Sequence, residues 1–125
     1  MVELVVVITI MMVITVIGIV SFSGINKKSR DSRRISDLDK LAMALEVYKQ
    51  ENGVYPNDED LLVSDYIDAI PTDPKAYGYY YDRSSSEYSY FLYGYMEDVG
   101  STTGSYGDWC SAPEGAVCNY MIQNP

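Results

Sequence analysis

The 125-residue chain contains no histidine, only two cysteines and a single tryptophan. Without an imidazole, the sequence excludes a Ser-His or Cys-His catalytic pair and a histidine-ligated metal. Two cysteines are also too few for a fold built on disulfides. Scattered carboxylates remain, but no local arrangement of acid, base and nucleophile accompanies them, so we do not expect an enzyme.

Positive charge is scarce after residue 50. Residues 51–125 contain two Lys/Arg against thirteen Asp/Glu, a net charge of −11, whereas residues 1–50 contain seven against five, a net charge of +2. An acidic body of this strength repels a phosphate backbone, so we expect no direct nucleic-acid partner. The length and the 47% apolar content fit one modest domain.

Charge is absent from Leu4 to Val20, and the apolar character continues to Ile25. These 22 residues cover about 33 Å as a helix, close to the thickness of a bilayer's hydrocarbon core. A signal peptide fits poorly, because the segment opens with Met1-Val2-Glu3 rather than with positive charge. A signal anchor fits the length, and the positive-inside rule would then keep the body in the cytoplasm through a basic cluster, namely Lys27, Lys28, Arg30, Arg33 and Arg34. A third hypothesis starts from Glu3: an acid just inside an apolar helix is costly in lipid and usually marks a partner or a function.

The helix is predicted to continue beyond the apolar run. Its second half has an apolar stripe at three- and four-residue spacing, formed by Ile35, Leu38, Leu41, Ala42, Leu45 and Tyr48. Arg33 and Asp37 form an i,i+4 pair outside that stripe. Asn52-Gly53 supplies the stop, so we predict one helix from about residue 2 to about residue 52. Gly18 and Gly24 are its most flexible points.

Two motifs make the chain resemble a known family. The first is the segment MVELVVVITIMMVITVIGIV with its early glutamate, and the second is the turn Asn52-Gly53-Val54-Tyr55-Pro56. In combination they are similar to type IV pilins and the related type II secretion pseudopilins, and Ile70-Pro71-Thr72-Asp73-Pro74 with the tyrosine strands resembles the region that follows. The resemblance covers residues 1 to about 96. The family's basic leader, first two mature residues and helix proline have no match here.

The resemblance implies an α+β fold of the type IV pilin kind. A long N-terminal helix would pack against a small antiparallel sheet, with a disulfide-closed C-terminal region. Residues 1–25 would form a stem that anchors the subunit in the membrane and later fills the filament core. Residues 26–125 would form the head, with the second half of the helix, a loop at 53–76, a hairpin at 77–96 and a C-terminal loop at 97–125.

Glu3 and Met1 carry the implied assembly role. In a dry bundle of stems a buried carboxylate needs a cation, and the family implies that the α-amine of Met1 meets Glu3 of a neighbouring subunit. The alternative is that Glu3 lies at the headgroup level and only ends the apolar span. The implied partners are further copies of the chain, the pilus assembly machinery of the inner membrane and a prepilin peptidase.

The middle of the chain is predicted to form a short helix and a hairpin. Asn57 is expected to cap a helix from Asp58 to about Ser64, with Leu61 and Leu62 turned inward. Eight of the thirteen tyrosines fall between Tyr77 and Tyr95. Two strands, 77–82 and 87–96, are expected to pair as a hairpin. One face, with Tyr88, Tyr90 and Leu92, would pack on the helix, and the other, with Phe91, Tyr93 and Tyr95, would stay wet.

The C-terminal segment holds Cys110 and Cys118. An even count of cysteines in an exported body predicts a disulfide, which would fasten a tail poor in regular structure. A thiol metal site is the weaker alternative. The acidic, glycine-rich stretch also makes Glu97, Asp98 and Asp108 weak calcium candidates, against a plain solvated loop. We otherwise expect no cofactor.

Three functions follow from these patterns. The first is a major pilin that polymerises into an extracellular type IV pilus for adhesion, motility or uptake, after residence in the inner membrane. The second is a pseudopilin of a type II secretion or competence system. The third is a monomeric, membrane-anchored extracellular binding domain, in which Glu3 would need no partner.

Overall fold

Helix α1 spans Val2–Asn52 and is 51 residues long. The computed structural model describes residues 1–83, 86–110 and 112–124, and within α1 it leaves out the side chains of residues 20–23. The helix passes through Gly18 and Gly24 without a break and ends at Gly53, whose φ of 80° suits a residue without a Cβ. There the Gly53 N–H donates to the carbonyl of Lys49 at 2.8 Å. The predicted single helix is confirmed.

The two halves of α1 have different surroundings. From residue 1 to residue 29 every described side chain is exposed, and Asp31 is the first buried residue along the helix. After Asp31 in the chain, the predicted apolar stripe faces a core, with Leu38, Leu41 and Leu45 buried. Each such leucine contributes about 1.5–3 kcal/mol through its burial. The helix is therefore anchored in the head through its second half alone.

The core is formed by α1, the loop after it and the sheet. Its members are almost fully buried: Leu38, Leu41, Ala44, Leu45, Tyr55, Leu62, Tyr90, Leu92 and Met96. Tyr55, from the turn after the helix, packs edge-on against Tyr90 with ring centroids 4.8 Å apart. Its hydroxyl donates to Glu46 Oε1 at 2.7 Å, and burial together with this bond raises the pKa of Tyr55 above its usual value. The turn motif thus ties the end of α1 to the sheet.

The sheet has three antiparallel strands in the order β1-β2-β3, with β1 at Tyr80–Asp82, β2 at Phe91–Gly94 and β3 at Tyr120–Gln123. The predicted hairpin is confirmed, but its strands are shorter than expected. Before β1, the Tyr77 N–H is held by Asp73 Oδ1 at 3.2 Å in a turn. Before β2, the Tyr88 N–H donates to Ser86 Oγ at 3.1 Å, so Tyr88 is exposed instead of packing on the helix.

Strand β3 differs from the sequence prediction, which gives a tail poor in regular structure. It pairs with β2 in the register Phe91↔Gln123 to Gly94↔Tyr120. Two asparagine side chains extend the ladder at its ends. Asn119 accepts from the Met96 N–H at 2.6 Å, and Asn124 accepts from the Tyr90 N–H at 3.2 Å. The C-terminal segment therefore completes the sheet.

The outer face of the sheet differs from the prediction as well. It was expected to stay wet, but Tyr93 is only 8% exposed and packs with Cys110 and Cys118. The predicted disulfide Cys110–Cys118 is present, with the Cα atoms 5.8 Å apart. The segment that it closes lies over this face and gives the head a second, smaller core.

The short helix after α1 is a 3-10 helix at Glu59–Leu62. Its cap is Asp58 and not the predicted Asn57, because the Asp58 carboxylate accepts from the Asp60 N–H. Of the two leucines predicted to point inward, Leu62 is buried and Leu61 is 52% exposed. A second 3-10 turn lies at Val99–Ser101. The tighter 3-10 geometry carries only one of two consecutive leucines into the core.

Candidate functional site

The stem, residues 1–25, is the most unusual surface of the protein. Among its described side chains, sixteen large apolar residues are exposed. The helix is long and apolar enough to cross a membrane. A soluble monomer rarely exposes an apolar surface of this extent. Within the described residues, the rest of the chain does not cover this apolar surface.

Glu3 lies in the first turn of α1, and Met1 precedes the helix. Both residues are exposed in the single subunit. The backbone carbonyl of Met1 accepts from the Val5 N–H at 3.4 Å, so the helix begins at the first peptide. A carboxylate in the first turn is also favoured by the helix dipole. The geometry leaves Glu3 accessible to a second molecule.

Gly18 and Gly24 lie on the stem with open space around them. A Cβ built at either position meets no atom within 4 Å. Inside an exposed helix, glycine is about 1 kcal/mol less favourable than alanine. Packing within the subunit thus requires neither glycine, and the predicted flexibility stays a prediction.

Where the stem enters the head, Arg34 is fully buried and holds three carboxylates. Its Nη1 donates to Asp31 Oδ1 at 2.7 Å and to Glu97 Oε1 at 3.0 Å, while its Nε donates to Asp73. We call the group the Arg34 cluster; its charged members are Arg30, Asp31, Arg34, Asp73, Lys75 and Glu97. The cluster joins α1, the turn before β1 and the segment after β2.

The carboxylates of the cluster have further donors. Asp31 accepts from the backbone N–H groups of Glu97, at 3.0 Å, and Asp98, at 2.7 Å. Asp73 accepts from the N–H of Lys75 at 2.6 Å. Among the described residues, no buried side-chain nitrogen or oxygen lacks a partner. Buried charges are tolerated only under such complete pairing.

Glu97 accepts hydrogen bonds from three basic side chains of the cluster. Arg30 donates to it through Nε at 2.7 Å and Nη2 at 2.6 Å, and Lys75 Nζ lies 3.2 Å from its Oε2. The bonds from Arg30, followed by those from Arg34 and Lys75, lower the pKa of Glu97 to about 2 against the opposing effect of burial. For Arg34, burial lowers the pKa, but the bonds to Asp73, Asp31 and Glu97 outweigh it and raise the pKa.

Acidification is expected to destabilise the head through Glu97. Because its folded pKa lies below its unfolded value of 4.5, the stabilisation is complete above about pH 4.5 and is lost as the pH falls towards 2. Between about pH 6 and pH 3 we expect a loss on the order of 2 kcal/mol. Denaturant unfolding of the full chain in mild detergent, followed by near-ultraviolet circular dichroism, measures it. The free energy of unfolding of the Glu97→Gln variant should depend less steeply on pH than that of the wild type. An identical slope would contradict the assignment of the acid sensitivity to Glu97.

The basic cluster of the sequence is divided between the interior and the surface. Arg30 and Arg34 turn into the Arg34 cluster. Lys27, Lys28 and Arg33 remain exposed, and we call these three the basic collar. Arg33 reaches Asp37 at 3.9 Å, the pair that the sequence predicts.

The weak calcium candidates do not come together. Glu97 belongs to the Arg34 cluster, Asp98 joins it through its backbone N–H, and Asp108 lies exposed beside Trp109. Within the described ranges, no group of three or more acidic or cysteine residues could hold a metal ion. Sequence reasoning missed the Arg34 cluster; the one local signal was the i,i+3 spacing of Asp31 and Arg34.

A groove of about 810 Å³ runs between α1 and residues 65–72. Met43 and Val47 are exposed on its helix side, and Asp65 and Asp68 lie on its loop side. Small-molecule sites are mostly enclosed and apolar, whereas this groove is open and its lining is of mixed polarity.

No protein-family model, curated protein or solved structure matches the chain. The protein is of the α+β class: one long apolar N-terminal helix, a small antiparallel sheet and one disulfide. The exposed stem and Glu3 are the features of this chain that bear most directly on its function.

Proposed function

We propose that the protein is a type IV pilin, a structural subunit that polymerises through its N-terminal helix into an extracellular filament. The observation that carries the proposal is the stem, an apolar helix that projects from the head with its side chains exposed. The pilin-like motifs of the sequence and the layout of helix, sheet and disulfide agree with it.

The energetics of the stem favour association. Full burial of one large aliphatic side chain is worth about 1.5–3 kcal/mol, so burial of the sixteen exposed ones is worth tens of kcal/mol. Lipid supplies this burial before assembly, and a bundle of stems supplies it afterwards. In both surroundings the acidic head stays in water, which keeps it soluble on the filament surface.

Glu3 gives the bundle a register. A lone carboxylate among apolar helices is costly unless a cation neutralises it, and the α-amine of Met1 in a neighbouring subunit is the proposed cation. An anchor that only crosses lipid has no need of this acid. In the proposal, the subunit resides in the inner membrane before it joins the filament. Its partners there are a prepilin peptidase and the pilus assembly machinery.

A pseudopilin of a secretion or competence system is the alternative within the same class. The turn Asn52–Pro56 is shared by both groups and favours neither. The disulfide and the C-terminal segment that it closes favour the pilin, because the resemblance associates such a region with pilins.

Electron microscopy of material sheared from the surface of cells that carry the protein tests the proposal. We expect thin filaments whose main component by mass spectrometry is this chain, and the same spectra define the N-terminus of the assembled subunit. Recovery of the protein only as a monomer in the membrane fraction, with no filaments, would favour the anchored binding domain and overturn the proposal.

A further inference from the structure

The basic collar lies directly after the apolar run. The 22 residues from Leu4 to Ile25 span about 33 Å as a helix, which matches the hydrocarbon thickness of a bilayer. In an inserted subunit, Lys27 and Lys28 therefore lie within about one helical turn of the end of the hydrocarbon layer.

The Arg34 cluster removes most of the opposing charge at that level. Asp31, Asp73 and Glu97 are balanced by Arg30, Arg34 and Lys75 inside the head. Of the remaining groups, Lys27 and Lys28 each carry a positive charge, Arg33 is offset by Asp37 at 3.9 Å, and Asp98 next to Glu97 carries one negative charge. The end of the stem is thus positive although the chain as a whole is strongly acidic.

This arrangement matters because the head would otherwise avoid an anionic surface. Residues 51–125 have a net charge of −11. Charges interact strongly only within a Debye length, about 8 Å at physiological ionic strength. Lys27 and Lys28 lie within that distance of the membrane surface. Acidic residues of the head that lie farther from the membrane than this are screened from it.

We propose that Lys27 and Lys28, the two lysines of the basic collar, bind the headgroups of anionic phospholipids while the stem is inserted in a membrane. The lysines are accessible and have the charge opposite to that of a lipid phosphate. The inference rests on the inserted state of the proposed function but not on filament formation. It also gives the membrane a way to retain the subunit that depends on lipid composition and on salt.

The test is a competition between two vesicle populations. Full-length protein in detergent is mixed with phosphatidylcholine vesicles and with vesicles that contain about 30% phosphatidylglycerol, the detergent is removed, and the protein in each population is quantified. Two lysines near a surface are together worth about 30-fold in partition, and Lys27→Gln/Lys28→Gln is expected to lose a preference of that size. About 1 M salt should remove it from the wild type.

Lys40→Gln is the matched control. Lys40 is an exposed lysine on the same helix, about 18 Å beyond Lys28 and therefore outside the screening distance. It should keep the wild-type preference. Equal partition of the wild type, or equal losses in both variants, would overturn the inference. A double variant that partitions normally but fails to form filaments would also overturn it. The lysines would then pair with the acidic head of a neighbouring subunit and not with lipid. Insertion without any filaments would instead contradict only the proposed function.

Discussion

Arg34→Met is expected to lower the free energy of unfolding of the head by about 3–5 kcal/mol. Methionine has a similar length and fills most of the space, but it removes the cation that three buried or nearly buried carboxylates share. Asp31 and Asp73 would keep only their backbone donors. The measurement is denaturant unfolding of the full chain in mild detergent, read by near-ultraviolet circular dichroism, because all thirteen tyrosines and the tryptophan lie at or after Tyr48.

Arg33→Met is the control for this prediction. Arg33 is the preceding residue, is of the same type and has a side chain that is 66% exposed, with only a 3.9 Å pair to Asp37. Surface pairs contribute at most about 1 kcal/mol, so its replacement should have little effect. The deficit of Arg34→Met should also shrink in acid, since protonation of Glu97 weakens one of the bonds that the arginine makes in the wild type. Equal effects of the two variants would show that the Arg34 cluster does not hold the head on the helix.

The parts of the fold that the sequence predicts correctly are those coded by neighbouring residues. The 3.6-residue spacing from Leu38 to Leu45 gives both the helix and its buried face, and Gly53 gives its end. The alternation of Tyr90, just before β2, and Leu92 within it gives the face that meets the helix. The disulfide follows from two cysteines in a body expected outside the cell.

The parts that it misses depend on residues far apart in the chain. Strand β3 pairs with β2, which lies about 30 residues earlier, and Asn119 and Asn124 extend that ladder at its ends. Its own sequence is too short to indicate a strand. The Arg34 cluster draws on positions 31, 34, 73 and 97. In the sequence alone, Arg30 and Arg34 fit the basic flank of a membrane segment, because a sequence does not show which charges a later loop will cover.

Glu3→Ala is expected to abolish or strongly slow filament formation, while the subunit still inserts in the membrane and its head still folds. The residue lies about 40 Å along the helix from Arg30, so the head does not depend on it. In a bundle of stems, loss of the carboxylate leaves the neighbouring α-amine without its partner, and an unpaired buried charge costs several kcal/mol per subunit interface. Filament yield in sheared surface fractions, normalised to the subunit in the membrane, is the measurement.

Two further variants distinguish charge pairing from a boundary role. Glu3→Gln keeps the shape and removes the charge, so it should resemble Glu3→Ala; Glu3→Asp keeps the charge and should retain part of the assembly. If Glu3 instead lay at the headgroup level and only ended the apolar span, neutral replacements would favour insertion and leave filaments unchanged. Normal filaments from the glutamine variant would therefore contradict the pairing of Glu3 with Met1, whereas a graded loss that follows charge would support it.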